Sequence, residues 1–486
     1  MEPLLSAIAS DLVSRAMSLV IQRYGRSKAE ETEQKLQRVL LRIDATVEEA
    51  EGRYITNKAM LQQLDMLRQG MYQGHYMLDT FRYRGHGDDD EVSGGLTVAL
   101  PRFSSAKPFF PFSVSSNVKK LEKMLDSLEA LMGDMQEFVV FLEGYPRICR
   151  QPYSTYLILD KVMFGRQMEM ETIRNFLLRQ EAASDGNPGV LPVFGAARVG
   201  KSTLVEHVCL DERVRGHFSS IVVFTGGDLG AGNMAALRGS GVIKHQDVMA
   251  ASHGRSLVII ELDGDMEEGT WRRLYSSAAR AMEHGSKIIV TSQSDKITCF
   301  GTAQALRLNP LPQEAYWYFF KTRAFGSANP DDQPKLASLG MEIAATMKCS
   351  FMGANIVGGL MRTNLNIRFW RRLLQYISDH TSIHLLKFGE HPTDLAQRGH
   401  PVHIWRMFRT QHHVTICKIY QDRSSKHMVP KLSLQDIHTG CDTYPAKFCT
   451  IAWRSTIPPY YTYLATCASQ PGCSMVSKKR PRQLRV

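Results

Sequence analysis

Hydrophobic positions in the first third of the chain recur every three or four residues. Leu4, Ile8, Leu12, Ala16 and Leu19 form one stripe, and Leu36, Val39, Leu40, Ile43 and Val47 a second. A third runs through Leu61, Leu64, Leu67, Met71 and Leu78. The fourth takes in Leu121, Met124, Leu125, Leu128, Leu131, Met135, Phe138 and Leu142. A helix with one apolar face must bury it, so the stripes predict a shared core. The simplest solution is an antiparallel four-helix bundle over 1–145. The polar run GHGDDDEVSGG (85–95) reads as a loop before the last helix.

After a linker at 146–160 the pattern changes. Short apolar runs VLPVF (190–194), SIVVF (220–224), LVII (257–260) and KIIV (287–290) alternate with amphipathic stretches. This predicts buried strands of a parallel sheet joined by crossover helices, an α/β domain over 161–300. EAYWYFFKTRAF, KLASLGMEIAATM and FWRRLLQYI then predict a helical subdomain over 301–386. The aromatic stretches HVTICKIY, KFCTIAWRS and PPYYTYLATC predict a small β-rich region over 400–476, ending in a basic tail, 477–486. The fold class expected is therefore multidomain.

Composition narrows this little. The 486 residues are 43% hydrophobic and 22% charged, which excludes wholesale disorder. No apolar run approaches the roughly 18 residues of a membrane helix, so no membrane span is expected. Glu2, Asp11 and Arg15 break up the N-terminal apolar residues, which does not read as a secretory signal. The nine cysteines form no CxxC pair, which fits a reduced, cytoplasmic setting. His438, Cys441, Cys449, Cys467 and Cys473 crowd together, but in no familiar zinc spacing. Residues 401–486 hold 13 Lys/Arg against three acids, so most of the net charge of +11 lies there. The tail leaves nuclear import open, although a solvated terminus is the favoured reading. Trp405, Tyr420, Trp453, Arg454 and Tyr460 raise an alternative, nucleic-acid binding, less favoured than buried aromatics. Pro458-Pro459-Tyr460-Tyr461 matches a PPxY ligand, with a packed turn preferred.

The sharpest chemistry is GAARVGKST, Gly195 to Thr203, after a predicted strand and before a predicted helix. It fits the phosphate loop GxxxxGK[ST]. Glycines let successive amides turn toward phosphate oxygens, and the helix N-terminus adds positive potential. Gly195, Val199, Gly200, Lys201, Ser202 and Thr203 are the candidate nucleotide contacts. Lys201 would neutralise phosphate charge, and the Ser202 hydroxyl would ligate Mg²⁺. The acid that holds Mg²⁺ or orients water should end a later strand. Glu261, after LVII, is the better register; Asp263, two residues on, is the alternative.

These motifs and their order resemble those of plant intracellular immune receptors, specifically the coiled-coil and NB-ARC portions of the nucleotide-binding, leucine-rich-repeat class. MFGRQMEMETI (163–173) resembles the opening GR-x-x-E motif, and the resemblance implies that Gly165 and Arg166 lie near adenine and ribose. FGAARVGKSTL resembles the phosphate loop, HFSSIVVF the next strand, and GSKIIVTSQSDKI the sensor strand. LRLNPLPQEAYWYFFKTRAFG resembles the following helical motif, and MLRQGMYQGHYMLDTF the third bundle helix. The C-terminal stretch resembles tails of an atypical grass group of these receptors. The resemblance covers roughly 1–385.

It implies ADP or ATP with Mg²⁺ and a role in plant defence. It also implies protein partners engaged through the N-terminal bundle, either a second copy or a full-length receptor. This sequence departs from the pattern. Leu262 stands at the second Walker acid, Gln293 at the sensor arginine and Met352 at the proline of the GLPLA motif; Asp79 alone is left of an acidic signature. No leucine-rich repeats, winged-helix module or MHD motif is legible. The expectation is a nucleotide-dependent interaction module with weak or no hydrolysis, at most a slow ATPase. An active ATPase switch stays open as the alternative.

Overall fold

The computed structural model describes residues 28–53, 55–83, 113–147, 163–179, 187–225, 242–246, 254–262, 264–405, 412–422, 430, 432–439, 445–455 and 461–471. The first apolar stripe, the 85–95 loop, residues 458–460 of the PPxY element, Asp263 and the basic tail lie outside them. Two compact units result: residues 1–152 with Gln313–Phe319 and Asn329–Ser338, and the rest of the chain.

The first unit is helical: α1 (28–51), α2 (Lys58–Tyr83), α3 (Ser113–Asp134) and α4 (Gln136–Leu142). The last predicted helix is broken at Met135, between α3 and α4. The predicted stripes are its core: Leu36, Leu40, Ile43, Leu64, Leu67, Leu121, Leu128 and Phe138 are all buried. Three helices converge on Gly74 of α2. A Cβ there would sit 2.6 Å from Leu40 Cδ2 and 2.8 Å from Leu128 Cδ1. Gly74→Leu should therefore overpack the core and lower stability by ~1–3 kcal/mol in urea unfolding. An unchanged midpoint would mean that the helices can part freely. The ends of α1 and α4 are tied by Arg53, which donates to Leu142 O at 3.0 Å and Tyr145 O at 3.0 Å while pairing with Glu49 at 2.8 Å.

The unit also takes in the start of a later helix. Trp317, on α9 (Gln313–Phe325), is buried, and its Nε1–H donates to Asp79 Oδ2 at 2.7 Å. Tyr83 O–H donates to Asp331, which also pairs with Arg82 at 3.3 Å. The sequence pattern places these residues in a separate helical subdomain; the contacts group them with the N-terminal helices.

The second unit begins with α5 (Gln167–Leu178) and a six-stranded sheet. Its strands are β1 (Gly189–Gly195), β2 (Ser220–Thr225), β3 (Val242–Gln246), β4 (Ser256–Glu261), β5 (Lys287–Ser292) and β6 (Leu306–Leu308). They lie in the order β3-β2-β4-β5-β1-β6, parallel except for the β2–β3 pair. The four predicted apolar runs are β1, β2, β4 and β5. Helices cover both faces. Ile173, Leu204, Val208 and Phe218 pack on one, and Trp271 of α8 (Glu268–Ala281), Leu274 and Phe300 on the other. Between β1 and β2 come α6 (Lys201–Cys209) and α7 (Glu212–His217).

Past α9 the chain forms α10 (Pro334–Thr346), α11 (Phe351–Thr363), α12 (Ile367–Phe388) and α13 (Pro392–Gln397). The C-terminal region is a four-stranded antiparallel sheet, ordered β7-β8-β10-β9. It comprises β7 (Val402–Trp405), β8 (His412–Asp422), β9 (Lys447–Arg454) and β10 (Thr462–Pro471), with α14 (Leu434–Thr439) packed on it. Among the described residues, no helix is long and apolar enough to cross a membrane.

Candidate functional site

Parallel strands present their carboxyl ends on one edge of a sheet, where an α/β fold places its ligand. Gly195 ends β1 there, paired with Leu308 of β6. Its φ is 156°, and a Cβ would lie 2.2 Å from Leu308 O, so only glycine lets the loop leave the strand at this point. Val199 is buried in the core beneath the sheet and pins the loop from below. Gly200, at φ 99°, is the N-cap of α6 and supplies no side-chain cap. The first amides of α6 are thus left to a ligand, as a phosphate site requires. Ser202 and Thr203 occupy the first turn of that helix.

Lys201 is folded onto its own loop. Its Nζ donates to Gly195 O at 2.8 Å and to Ala196 O at 2.8 Å. Burial pushes its pKa down to about 8, with Glu261 pulling it upward. Glu261, the last residue of β4, is buried and in register with Thr225 of β2 and Thr291 of β5. The structure therefore brings Glu261 to the phosphate loop's lysine. Leu262 packs into the core against Trp271's cluster and donates its N–H to Thr291 O at 2.9 Å. Gln293 is exposed just beyond the end of β5.

Gly165 and Arg166 have a different setting. Gly165 adopts φ 66° against Leu311. The Arg166 guanidinium is buried, pairing with Glu169 at 3.0 Å and donating to Asn309 O at 2.6 Å. In this arrangement Arg166 fastens the start of α5 to the segment after β6.

Sequence reasoning missed a cleft of about 230 Å³ beside the loop. Ala196 to Val199 form one wall, and Thr346 to Gly353, before and at the start of α11, form another. The remaining wall comes from α12, β7, β8 and α14. Ile356, Leu360, Leu373, Ile404 and Leu434 make it largely apolar. His380 also lines it, its Nε2–H donating to His403 O at 2.7 Å, and burial pushes its pKa down to about 3. Among the described residues, three non-glycine positions have positive φ: Arg198 (59°), Lys348 (47°) and Cys349 (53°). All three line this cleft. Strain of this kind costs roughly 1–3 kcal/mol per residue and concentrates at functional sites. Met352 lines it too.

Comparison with known proteins finds relatives among plant disease resistance proteins. The family model for the Rx N-terminal domain matches residues 8–110. Disease resistance protein RGA2 of Solanum bulbocastanum is 21% identical over 355 residues, 70% of this chain and 35% of that protein. Putative disease resistance RPP13-like protein 1 of Arabidopsis thaliana is 23% identical over 395 residues, 76% of this chain and 36% of that one. The chain is similar to plant disease resistance proteins, and its N-terminal part matches the Rx N-terminal domain. It spans about a third of the length of these curated relatives. Among solved structures, C. elegans PCH-2 superposes with a TM-score of 0.31 at 9% identity, covering 48% of this chain and 74% of that one. The loop at 195–203 combines the amides of a helix start and a half-buried lysine as donors, with the Glu261 carboxylate close by.

Proposed function

We propose that this chain binds ADP or ATP with Mg²⁺ at the 195–203 loop and acts in plant defence as a nucleotide-dependent protein-interaction module. The observation that carries the reading is Lys201, a half-buried cation held on its own loop carbonyls beside Glu261, at the carboxyl edge of a parallel sheet. Gly195, Val199 and Gly200 shape the loop; Lys201 meets the phosphates; Ser202, with Glu261, would hold the metal; Thr203 adds a first-turn contact. Bound Mg²⁺ would neutralise phosphate charge. Gly165 and Arg166 stay candidate base-side contacts. Protein partners, a second copy or a longer receptor, would engage the N-terminal helices.

Weak or absent hydrolysis is part of the proposal. Gln293 offers no charge where the family's pattern has arginine, removing a charge-assisted hydrogen bond worth roughly 1.5–3 kcal/mol. The test is nucleotide co-purifying with the full chain, compared with Lys201→Ala, together with ATP turnover. Bound ADP or ATP in the wild type alone, with little turnover, is expected. Robust turnover that Lys201→Ala abolishes would favour the active-ATPase alternative.

Lys201 also predicts a pH signature. In the free protein it is half-protonated near pH 8. Phosphate charge beside it raises that value, so binding near pH 8 takes up a proton. Affinity should accordingly fall as pH rises above about 8. Calorimetry in buffers of different ionisation enthalpy reads the uptake; a buffer-independent enthalpy at pH 8 would show that Lys201 does not titrate on binding.

A further inference from the structure

The cleft beside the phosphate loop has an unusual charge balance. Among the described residues lining it there is no aspartate or glutamate, yet Arg198, Lys348 and Lys418 all reach it. Lys348 is engaged with Asp394 at 2.6 Å. Arg198 and Lys418 have no described ion pair. Arg198 belongs to the phosphate loop itself; Lys418 belongs to β8 of the C-terminal sheet. Two cations on facing elements, with no acid between them, make a place for an anion.

Arg198 carries a second oddity. It holds φ 59° in a loop where glycine would adopt that conformation without steric cost. The left-handed backbone sets its side chain on the cleft wall. Among the described residues, Tyr463 of β10, stacked on Trp453 with ring centroids 5.5 Å apart, is the titratable group that acts on its charge. Strain maintained at a solvent-reachable cation, without a carboxylate to reward it, points to a ligand.

We propose that Arg198 and Lys418 are additional phosphate contacts of the bound nucleotide, so that the C-terminal sheet completes the nucleotide site. This rests on the phosphate-loop reading above and extends it. The cleft's apolar walls would accept the uncharged body of the ligand, with Arg198 and Lys418 lining the cleft and Lys201 on the adjoining loop to meet its phosphates. The C-terminal sheet then contributes to affinity directly, and nucleotide and sheet stabilise one another's placement.

The experiment measures ADP and adenosine binding by calorimetry on the full chain, for wild type, Arg198→Gly, Lys418→Gln and Lys201→Ala. Arg198→Gly and Lys418→Gln should each weaken ADP by roughly tenfold, the loss expected for one charge-assisted contact. Adenosine, which lacks phosphate, should bind each of them as it binds wild type. Arg198→Gly should also raise the melting temperature of the ligand-free protein by relieving the left-handed strain. A structural arginine would do the opposite. Wild-type ADP affinity in both variants, with binding lost only in Lys201→Ala, would overturn this proposal and leave the phosphate-loop reading intact. Sensitivity of Arg198 alone would overturn the role of the C-terminal sheet. Absence of ADP binding in the wild type would end both readings.

Discussion

Lys201→Ala should weaken ADP binding by about 100-fold or more, because truncating one partner of a buried charge pair costs roughly 2–5 kcal/mol. The ammonium is already desolvated in the ligand-free protein, which is why its pKa falls to about 8. Phosphate oxygens would thus meet a cation that has already shed part of its water. The same substitution should scarcely change the ligand-free protein. It removes two hydrogen bonds to Gly195 O and Ala196 O, but it also removes a charge that burial disfavours. The two effects oppose one another, and a net change within about 1 kcal/mol is expected. Thermal unfolding with and without ADP separates them. At a hundred times the dissociation constant the wild type should gain about 2.7 kcal/mol, and the variant almost nothing. Equal ADP-dependent shifts in both proteins would show that the loop does not hold phosphate.

The largest loss of stability should follow Trp317→Ala. Removing a fully buried tryptophan costs about 3–5 kcal/mol through lost burial and the cavity left behind. The indole is 1% exposed, and its N–H is the donor to the buried Asp79 carboxylate at 2.7 Å. Truncation would take this donor away from the buried carboxylate. Trp317→Phe keeps most of the packing and loses the donor, which should cost ~1.5–3 kcal/mol. Asp79→Asn keeps an acceptor oxygen and should cost less than Asp79→Ala. Chemical denaturation of the full chain ranks the four. A loss under about 1 kcal/mol for Trp317→Ala would mean that the N-terminal helices do not depend on this residue. The same contact predicts that a fragment ending at residue 152 is less stable than these helices in the whole chain, since Trp317 would be missing from its core.

Much of this was readable in the chain before any coordinates. The stripes of α1 to α4 coincide with buried positions, and the four apolar runs coincide with β1, β2, β4 and β5. What escaped was short or edge-like. β3 has only Val242 and Ile243 ahead of Lys244, too few apolar residues to establish a period. β6 has three residues, and β7 has four. The segment EAYWYFFKTRAF reads clearly as a helix, yet its pattern could not say what buries it. Tyr316, Trp317, Phe319 and Phe320 are all buried, so no polar face betrays the helix's surroundings. Arg166 shows the same limit at a site. Its motif suggested a base-side contact, and only the fold reveals Glu169 and Asn309 around its guanidinium.

Local chemistry fixed the phosphate loop. Glycine spacing, an adjoining strand and a following helix act within about ten residues, and their consequences for backbone amides follow from covalent geometry alone. Tertiary structure decided everything that depends on residues far apart in the chain. Asp79 meets Trp317 across 238 positions, and the cleft draws its walls from 196–199, 310, 346–360, 373–381, 391–400 and 402–438. Burial, and with it the value of a charge such as Lys201 or Arg198, is set by whichever distant segments exclude water from it. No local periodicity carries that information, because water exclusion is a property of the packed chain.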